Sequence, residues 1–505
     1  DRETDLTYWE EDPEAAVKAL NNCYTYLGNM DEQLYSEAMT DNAYTKQPND
    51  FTQNIGNGSY STADSYVKQV WDGRYTGIRM CNQLLENIDR VPDLDPELKK
   101  RYIGEAKVLR AYNYYELYTK FGDVPYTTKV LSIKESMSIA RTDRATVIAN
   151  MLADLDEVIN GNYLPASYDA DNKGRITRWA AMAIKAKIYL FEGNWTQVKN
   201  ITSTIMTEGG FRLFGSYAGL FEIANEYNSE VILDAQYRPT SREHQMMYAF
   251  LPPSLGGYSQ LSPLQELVDS YIMLDGKTIR ETGTSFDESN PYANRDPRLK
   301  ATVMYTGNSY TLADGTEVVI NCEKGEGKDG YGVGSDCSAT GYYIKKYWDN
   351  TYRATLYSGL NPILIRYADI LLMNAEALAE LGELDKTAWD ATIKPIRDRA
   401  GFTLASAVEF PEGASKDKLI EIVRNERRSE LALEGHRHKD IIRWRIADNV
   451  LNGWCHGLKT NDVVGTDDGY VRVENRTFNA NRHYLWPIPQ AERDLNGNLE
   501  QNPNW

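Results

Sequence analysis

Two short sequence motifs in this chain have the residue types and spacing of known ligand-binding sites, but each motif lacks a required feature. Residues 325–330, GEGKDG, spell the glycine pattern of a dinucleotide-binding turn. The following YGVGSDCSATG cannot open the helix that would receive a pyrophosphate. Residues 169–180, DADNKGRITRWA, begin like a calcium loop, but Ala180 stands where the bidentate glutamate belongs. We therefore expect neither a nucleotide site nor a calcium site.

The remaining reactive side chains do not form a recognisable catalytic set. His436 and His438 lie two positions apart on a predicted helix and point to different faces, which argues against a shared metal. The Gly-x-Ser-x-Gly pattern of a nucleophile turn is missing. Five cysteines are scattered, and only Cys322 and Cys337 bracket a glycine-rich loop that a disulfide could join, or they remain two thiols. We predict a protein without enzymatic activity and without a cofactor or metal.

Aromatic residues are unusually frequent in this chain. Thirty-five tyrosines and ten tryptophans exceed what a helical core needs. Aromatic faces stack on sugar rings while Asp, Asn and Arg bond the hydroxyl groups, so the composition suits a glycan-binding surface. Tyrosine packing between irregular helices would explain the same count. A net charge of −18 and a pI near 4.9 argue against nucleic acid as the partner.

Four glycines indicate the scaffold that must position these residues. Gly122, Gly193, Gly382 and Gly435 each close a helical pattern before a second one begins, in frames comparable to tetratricopeptide units. The fold class predicted is mainly α, with tetratricopeptide-like helical hairpins forming a right-handed superhelical scaffold. Irregular spacing between the glycines indicates large insertions in that scaffold.

The composition along the chain predicts one unit over residues 1–505 with three segments. Residues 1–236 read as an N-terminal helical scaffold, and residues 361–505 as C-terminal helical hairpins followed by an extended strap. Residues 237–360 are rich in Gly, Ser, Tyr and Asn and read as an inserted, loop-rich variable lobe. Short strands are predicted in this lobe at residues 317–321 and 341–348. Loops on a rigid scaffold are common binding positions.

The C-terminal region combines a charged helix with the strap. In residues 420–444 the apolar stripe that includes Val423 is interrupted on the same face by Arg427 and Glu430. An unpaired buried charge is costly, so we expect Arg427 to be held by Glu430 or another carboxylate in a structural clasp. Residues 485–505 contain several prolines, asparagines and glycines, which predicts an extended segment over the body.

These C-terminal segments and others upstream resemble the RagB/SusD family of outer-membrane lipoproteins, which bind glycans at the cell surface. The matching segments fall in the family's order: EAKVLRAYNYYELYTKFGDVPY (105–126), GRITRWAAMAIKAKIYLFEGNW (174–195), LVDSYIMLDGK (267–277), RDPRL (295–299) and IRYADILLMNAEALAELG (365–382). The resemblance implies a SusC-like TonB-dependent transporter as partner. It also implies a signal peptide and a lipidated cysteine upstream of Asp1.

Within the resemblance, glycan contacts come from the loop after an early helix, from the next helix and from the variable lobe. Asp41, Asn42 and Tyr44 form a polar turn after a helical pattern that stops at Thr40, although helix termination explains the same residues. Trp71 lies on the following helix, where its spacing to neighbouring apolar residues equally favours core packing.

Three more candidates lie further along the chain. Trp348 and Tyr352 belong to an aromatic cluster beside two lysines, and we expect it to be half strand face and half exposed. Arg366 opens a helix, where its guanidinium could cap a carbonyl or reach a sugar. These residues complete the predicted glycan-binding set.

The favoured function is that of a cell-surface glycan-binding lipoprotein that captures oligo- or polysaccharide and delivers it to the transporter. No apolar run approaches the length of a membrane span, so attachment would be through the lipid anchor. Two alternatives remain open: a secreted glycoside hydrolase on a helical scaffold, and a tetratricopeptide-type adaptor. A hydrolase needs two facing carboxylates in a cleft, a binder needs exposed aromatics, and an adaptor needs an open groove.

Overall fold

The computed structural model describes residues 2–351 and 354–505, with side chains described from residue 7 onward. The chain divides into two compact units. The first unit comprises residues 1–28, 60–192 and 479–505, and the second comprises residues 29–59 and 193–478. The predicted variable lobe lies wholly within the second unit, and the predicted division into three segments stays a prediction.

The first unit is built from helices in its described residues. Helix Pro96–Phe121 begins with Asp95, whose side chain accepts from the Leu98 amide, and with proline in its first turn. It packs against the helices Ser65–Asn87 and Arg144–Asn160. The helices of this unit are Arg2–Glu11, Ala15–Tyr24, Ser65–Asn87, Pro96–Phe121, Ile133–Ser136, Arg144–Asn160, Arg178–Glu192 and Gln490–Leu495.

The second unit combines helices with short strands. Its helices are Met30–Glu37, Gln53–Asn57, Trp195–Glu208, Met246–Phe250, Gln265–Ser270, Pro297–Thr302, Tyr367–Glu380, Lys386–Ala391, Ile393–Ala400, Ala405–Val408, Lys416–Glu430, Arg437–Arg443 and Ala447–Val450. A three-stranded antiparallel sheet has Tyr470–Arg476 in the middle, between Thr466–Asp467 and Gly453–Lys459. The two-stranded antiparallel pairs are Ala43–Thr45 with Leu261–Pro263, Val231–Asp234 with Ile363–Arg366, Val303–Met304 with Tyr343–Ile344, and Ser309–Thr311 with Glu317–Val319.

The predicted fold class is confirmed, because the structure is mainly helical with short strands inserted. The four hairpin glycines all have positive φ, at 72°, 71°, 72° and 86° in chain order, which a residue with a Cβ adopts only under strain. Gly382 and Gly435 each separate two helices of the second unit. Gly193 begins the second unit, so the helices before and after it belong to different units.

The charged region near residue 427 is helical but shorter than its pattern suggested. Helix Lys416–Glu430 ends at Glu430, and a second helix, Arg437–Arg443, follows a break at which Leu433 also has positive φ. Arg427 is buried and paired as predicted, but Glu430 is not its partner. Its Nη1 lies 2.6 Å from Oδ1 of Asp369, and its Nε lies 2.7 Å from Oδ2 of Asp440.

Glu430 instead belongs to a neighbouring group of buried charges. Its carboxylate lies 3.1 Å from a guanidinium nitrogen of Arg366 and 3.3 Å from one of Arg399. Together these groups form what we call the ionic clasp: Glu230, Asp296, Arg298, Lys346, Arg366, Asp369, Arg399, Glu426, Arg427, Glu430, Glu434 and Asp440.

The C-terminal strap lies against the first unit as an irregular segment, with one short helix, Gln490–Leu495, that the sequence pattern did not predict. Trp486 and Ile488 are buried, and the Trp486 amide donates to the Lys120 carbonyl over 2.7 Å. The Asn502 amide group donates to the carbonyls of Phe121 and Trp486. The segment is therefore mostly irregular, with one helical turn region at Gln490–Leu495.

The structure also reports on the cysteines, metal ligands and membrane spans. All five cysteines are free and buried, so Cys322 and Cys337 are not bridged here. In the described parts of the chain, His, Cys, Asp and Glu side chains form no group of three or more arranged to hold a metal ion. None of the helices in residues 2–351 and 354–505 combines the length and the apolar character needed to cross a bilayer.

Candidate functional site

The predicted polar turn is part of the interior of the second unit. Asp41 is 6% exposed, and its two oxygens each lie 2.9 Å from the Arg437 guanidinium. Burial opposes the charge, but Arg428 and Arg437 hold the pKa of Asp41 below its usual range. Asn42 is 1% exposed and bonds Glu37 and Arg428. These contacts leave both side chains without an open edge for a sugar.

Tyr44 differs from its two neighbours because it is only half-buried. It lies on strand Ala43–Thr45, and its hydroxyl accepts from the side-chain amide of Gln53 over 3.1 Å. Burial raises the pKa of this hydroxyl, so it is protonated at neutral pH. Tyr44 is the member of the predicted turn that keeps a surface.

The other predicted residues are also enclosed. Trp71 packs edge-on against Phe121 at 5.1 Å between ring centroids. Trp348 donates its indole N–H to the Thr311 carbonyl, and Arg366 is 1% exposed within the ionic clasp. Burial argues against direct sugar contact by Trp71, Trp348 and Arg366, whose role as glycan contacts stays a prediction. Tyr352 lies outside the described residues.

Among the exposed tyrosines of the second unit, two lie next to each other and are absent from the predicted set. Tyr248 and Tyr258, which we call the tyrosine pair, are 36% and 38% exposed. Their ring centroids lie 4.1 Å apart with 32° between the ring planes. The Tyr258 amide donates to the Tyr248 carbonyl over 2.9 Å, so the backbone helps to hold the two rings stacked on each other. The pair forms a small aromatic platform.

Local sequence explains why these rings face outward. Helix Met246–Phe250 buries four of its five residues and leaves Tyr248 at the surface. The chain then turns through Pro252 and Pro253 into Gly256, which has φ of 84°. Gly257 follows so close to the backbone that an added Cβ would lie 2.0 Å from the Leu251 carbonyl oxygen. Only glycine fits there, and the tight return brings Tyr258 against Tyr248.

Polar groups border the tyrosine pair on strand and loop positions. Strand Leu261–Pro263 pairs with Ala43–Thr45, and the Lys46 amide continues the ladder to the Gln260 carbonyl. The Lys46 ammonium donates to the carbonyls of Ser335 and Cys337 over 2.8 and 2.6 Å. These contacts attach the glycine-rich loop to the strand beside the platform.

The same loop is attached to the turn that carries Tyr258. Asp329 is buried and accepts hydrogen bonds from the backbone and the hydroxyl of Ser254. Its own carbonyl accepts from the Tyr343 hydroxyl over 2.6 Å. The exposed Asp336 on this loop interacts electrostatically with both Lys46 and Tyr248. The platform therefore has a carboxylate and an ammonium beside it.

The electrostatic state of these groups is defined by their surroundings. Burial lowers the pKa of Lys46, while Asp336 opposes that effect. The hydrogen bond between the two hydroxyls raises the pKa of Tyr248, which keeps its phenol neutral. A neutral aromatic surface with an acceptor and a donor at its edge can stack on a sugar ring and bond its hydroxyls.

The first unit contains a second candidate, a cavity of about 350 Å³ whose lining includes Trp71, Tyr75 and Asn82. The polar groups that reach it are already used internally. The Tyr75 hydroxyl donates to the Pro125 carbonyl over 2.8 Å, and the Asn82 amide contacts two loop carbonyls. Trp71 is only 4% exposed. The cavity thus offers less aromatic surface than the tyrosine pair does.

Sequence reasoning missed the tyrosine pair, although a signal was present. The residues YAFLPPSLGGY place a tyrosine at each end of a segment with two prolines and two glycines. Such a segment predicts a compact turn inside the predicted variable lobe. The register that brings both rings to one surface depends on Gly257 packing against Leu251, which composition does not reveal.

Comparison with known proteins gives consistent matches over nearly the whole chain. A family model described as the SusD family matches residues 220–505, and one described as "starch-binding associating with outer membrane" matches residues 14–190. SusD-like protein P25 of Formosa agariphila is 26% identical over 497 residues, which cover 88% of each chain.

Solved structures agree with this assignment. The crystal structure of a SusD-like carbohydrate binding protein from Bacteroides fragilis is 29% identical, with a TM-score of 0.87 over 98% of this chain and 100% of that chain. Another SusD-like protein from the same species is 28% identical, with a TM-score of 0.84 over 99% of this chain and 98% of that chain.

Proposed function

The chain belongs to the SusD family, and from that premise we propose that it binds an oligo- or polysaccharide at the outer-membrane surface without cleaving it. The protein would hold the glycan and pass it to a SusC-like TonB-dependent transporter, which would supply the energy for import. The similar structure from Bacteroides fragilis is described as a carbohydrate binding protein. A lipid anchor upstream of Asp1 would keep the chain at the membrane.

The observation that supports this proposal best is the tyrosine pair with its polar edge. The two rings stack on each other at 4.1 Å between centroids, and the ring surface that stays exposed is apolar and can take the C–H face of a sugar. Asp336 can accept from sugar hydroxyls, and the loop that carries it is held in place by Lys46. Tyr44 is the predicted residue that stays half-buried, and it lies on the strand that pairs with Leu261–Pro263.

Three carboxyl groups with strongly shifted pKa values support binding over hydrolysis, because all three lie in the interior. A glycosidase needs one protonated carboxyl and one carboxylate on either side of the scissile bond. Burial raises the pKa of Glu37 and of Asp234 to about 7, which suits a general acid, but these groups are 1% and 3% exposed. Arg366 and Lys346 overcome the effect of burial on Glu434 and lower its pKa to about 2, which keeps it ionised. These acids fit structural roles.

The test removes the aromatic surface and measures binding. The double variant Tyr248→Ala with Tyr258→Ala should lose about 2 kcal/mol of binding free energy, roughly thirtyfold in affinity, because the exposed aromatic surface is gone. Calorimetry and affinity gels with soluble starch, laminarin, xylan and galactomannan would measure it. The matched control is Tyr227→Ala, because Tyr227 is also 38% exposed in the second unit.

The proposal predicts that the glycans stay intact during these incubations and that the control binds like the parent. Equal binding by the double variant would place the site elsewhere. Release of reducing sugar that disappears when a carboxyl group is mutated would favour the hydrolase instead.

A further inference from the structure

Another exposed aromatic residue lies on the three-stranded sheet of the second unit. Trp454 is 42% exposed on strand Gly453–Lys459, opposite Asn475 of the middle strand. The Arg472 guanidinium carbon lies 5.3 Å from the centroid of its ring. An arginine stacked in this way fixes the indole orientation and leaves indole surface open to solvent.

Arg472 is itself held by a line of hydrogen-bonded side chains. Its Nε and Nη2 donate to Oδ1 of Asp467 over 3.0 and 2.7 Å. The other oxygen, Oδ2, lies 2.8 Å from Nε2 of His456. On the opposite side of the imidazole, Nδ1 lies 2.8 Å from Glu266. The line runs from helix Gln265–Ser270 across all three strands to the indole.

The charges along this line cancel. Hydrogen bonds to Glu266 and then to Asp467 raise the pKa of His456 to about 9, so the imidazole is protonated at neutral pH. Hydrogen bonds from Arg472 and then His456 lower the pKa of Asp467 to about 2, so this carboxylate is ionised. Two cations therefore face two carboxylates, and the cluster has no excess charge to attract an anionic ligand.

We propose that Trp454, Arg472 and Asp467 form a second carbohydrate contact, specific for a neutral sugar residue. The C–H face of the sugar stacks on the indole, while the exposed guanidinium and carboxylate edges bond adjacent hydroxyls. The side chains of Arg472 and Asp467 are 39% and 41% exposed, so each keeps accessible polar atoms beyond their mutual contact. The inference rests on the proposed function, because it assumes that the protein binds glycans.

Two contacts on one protein have a consequence for chain length. A polysaccharide long enough to extend from the tyrosine pair to Trp454 meets the second contact at a high effective concentration, because that contact is then intramolecular. A short oligosaccharide occupies one contact only. Trp454 therefore contributes to binding of long chains and contributes little to binding of short ones.

The experiment uses the full chain and four neutral polysaccharides, namely soluble starch, laminarin, xylan and galactomannan. Each polymer is paired with its hexasaccharide in calorimetry and affinity gels. Alginate serves as the anionic comparison. The proteins are the parent, Trp454→Ala, Trp454→Phe and the double tyrosine variant. Val463→Ser in the same hairpin is the matched control, because Val463 is 92% exposed. Thermal melting of each protein checks that it is folded.

Trp454→Ala should bind the polymer about tenfold more weakly than the parent and bind the hexasaccharide equally well. Trp454→Phe should recover most of the loss, and Val463→Ser should show none. The inference is overturned if Trp454→Ala binds every polymer like the parent while the double tyrosine variant does not, which leaves the proposed function standing. A parent that retains neither the neutral polymers nor alginate overturns both proposals. A parent that prefers alginate overturns the neutral specificity.

Discussion

The ionic clasp and the tyrosine pair lie in the same unit and use their side chains in opposite ways. Clasp residues are buried and matched: Arg366 is 1% exposed and contacts Glu230, Glu430 and Glu434. The tyrosines are more than a third exposed and are fixed mainly by their backbone. Charge placed inside must be paired, whereas an aromatic ring kept at the surface retains a free face. Paired buried charges therefore indicate a structural role, and exposed aromatic surface indicates a binding role.

The largest expected effect is the loss of one clasp arginine. Arg427→Ala leaves Asp369 and Asp440 buried without their shared cation, at a cost of about 3 to 5 kcal/mol. Urea unfolding followed by circular dichroism would measure this cost. The control is Arg424→Ala on the same helix, because Arg424 is 30% exposed and lies 3.6 Å from Glu380. It should cost less than about 1 kcal/mol.

The contrast between the ionic clasp and the tyrosine pair is contradicted if Arg427→Ala has the same free energy of unfolding as the parent. Unchanged stability together with lost glycan binding would mean that buried charge near Arg427 serves the ligand after all. The same measurements on Arg424→Ala would exclude a general effect of removing positive charge from this helix.

Trp71 tests the same contrast between buried and exposed side chains at an aromatic residue. It was predicted as a glycan contact, yet it is 4% exposed and packs on Phe121 in the first unit. Trp71→Ala should therefore cost about 3 kcal/mol through the cavity it leaves, with glycan affinity unchanged once the protein is folded. Trp71→Phe should keep most of that stability. Melting and calorimetry on the same samples separate the two effects; weaker binding without a lower melting temperature would restore Trp71 to the site.

The sequence predicted much of the helical scaffold but few features of the candidate site. Glycines such as Gly382 and Gly435 marked helix ends because local backbone geometry decides them. The need for a partner at Arg427 was also predictable, since burial of charge requires one. Which residues form each ion pair was not predictable, because contacts such as that between Asp41 and Arg437 join residues 396 positions apart.

The sequence did not predict the solvent exposure of individual side chains. Trp71 and Tyr248 both belong to helices with apolar neighbours, but one ring is enclosed and the other is 36% exposed. The difference depends on which elements pack over each ring, and that is decided by contacts distant in sequence. Family resemblance narrowed the site to regions of the chain, and the structure was needed to select residues within them.

The smallest effect expected concerns His456, which links the sheet to helix Gln265–Ser270. Hydrogen bonds to Glu266 and Asp467 raise its pKa from 6.5 to about 9 in the folded protein, and Arg472 is the further charge beside it. A folded-state pKa above the unfolded value stabilises the protein fully below pH 6.5. That contribution is lost as the pH rises through about 9. Because the imidazole is partly exposed, solvent screening limits the contribution to about 1 kcal/mol or less.

His456→Gln should remove this pH dependence and leave the rest of the stability curve in place. Unfolding free energies of parent and variant, measured between pH 6 and pH 10, should converge toward the alkaline end. A parallel offset at every pH would show that the imidazole acts through packing and not through its charge. If Trp454 takes a sugar on this sheet, parent affinity for long glycans should fall over the same alkaline range. The charge on His456 orders Asp467, which in turn orders Arg472 against the indole.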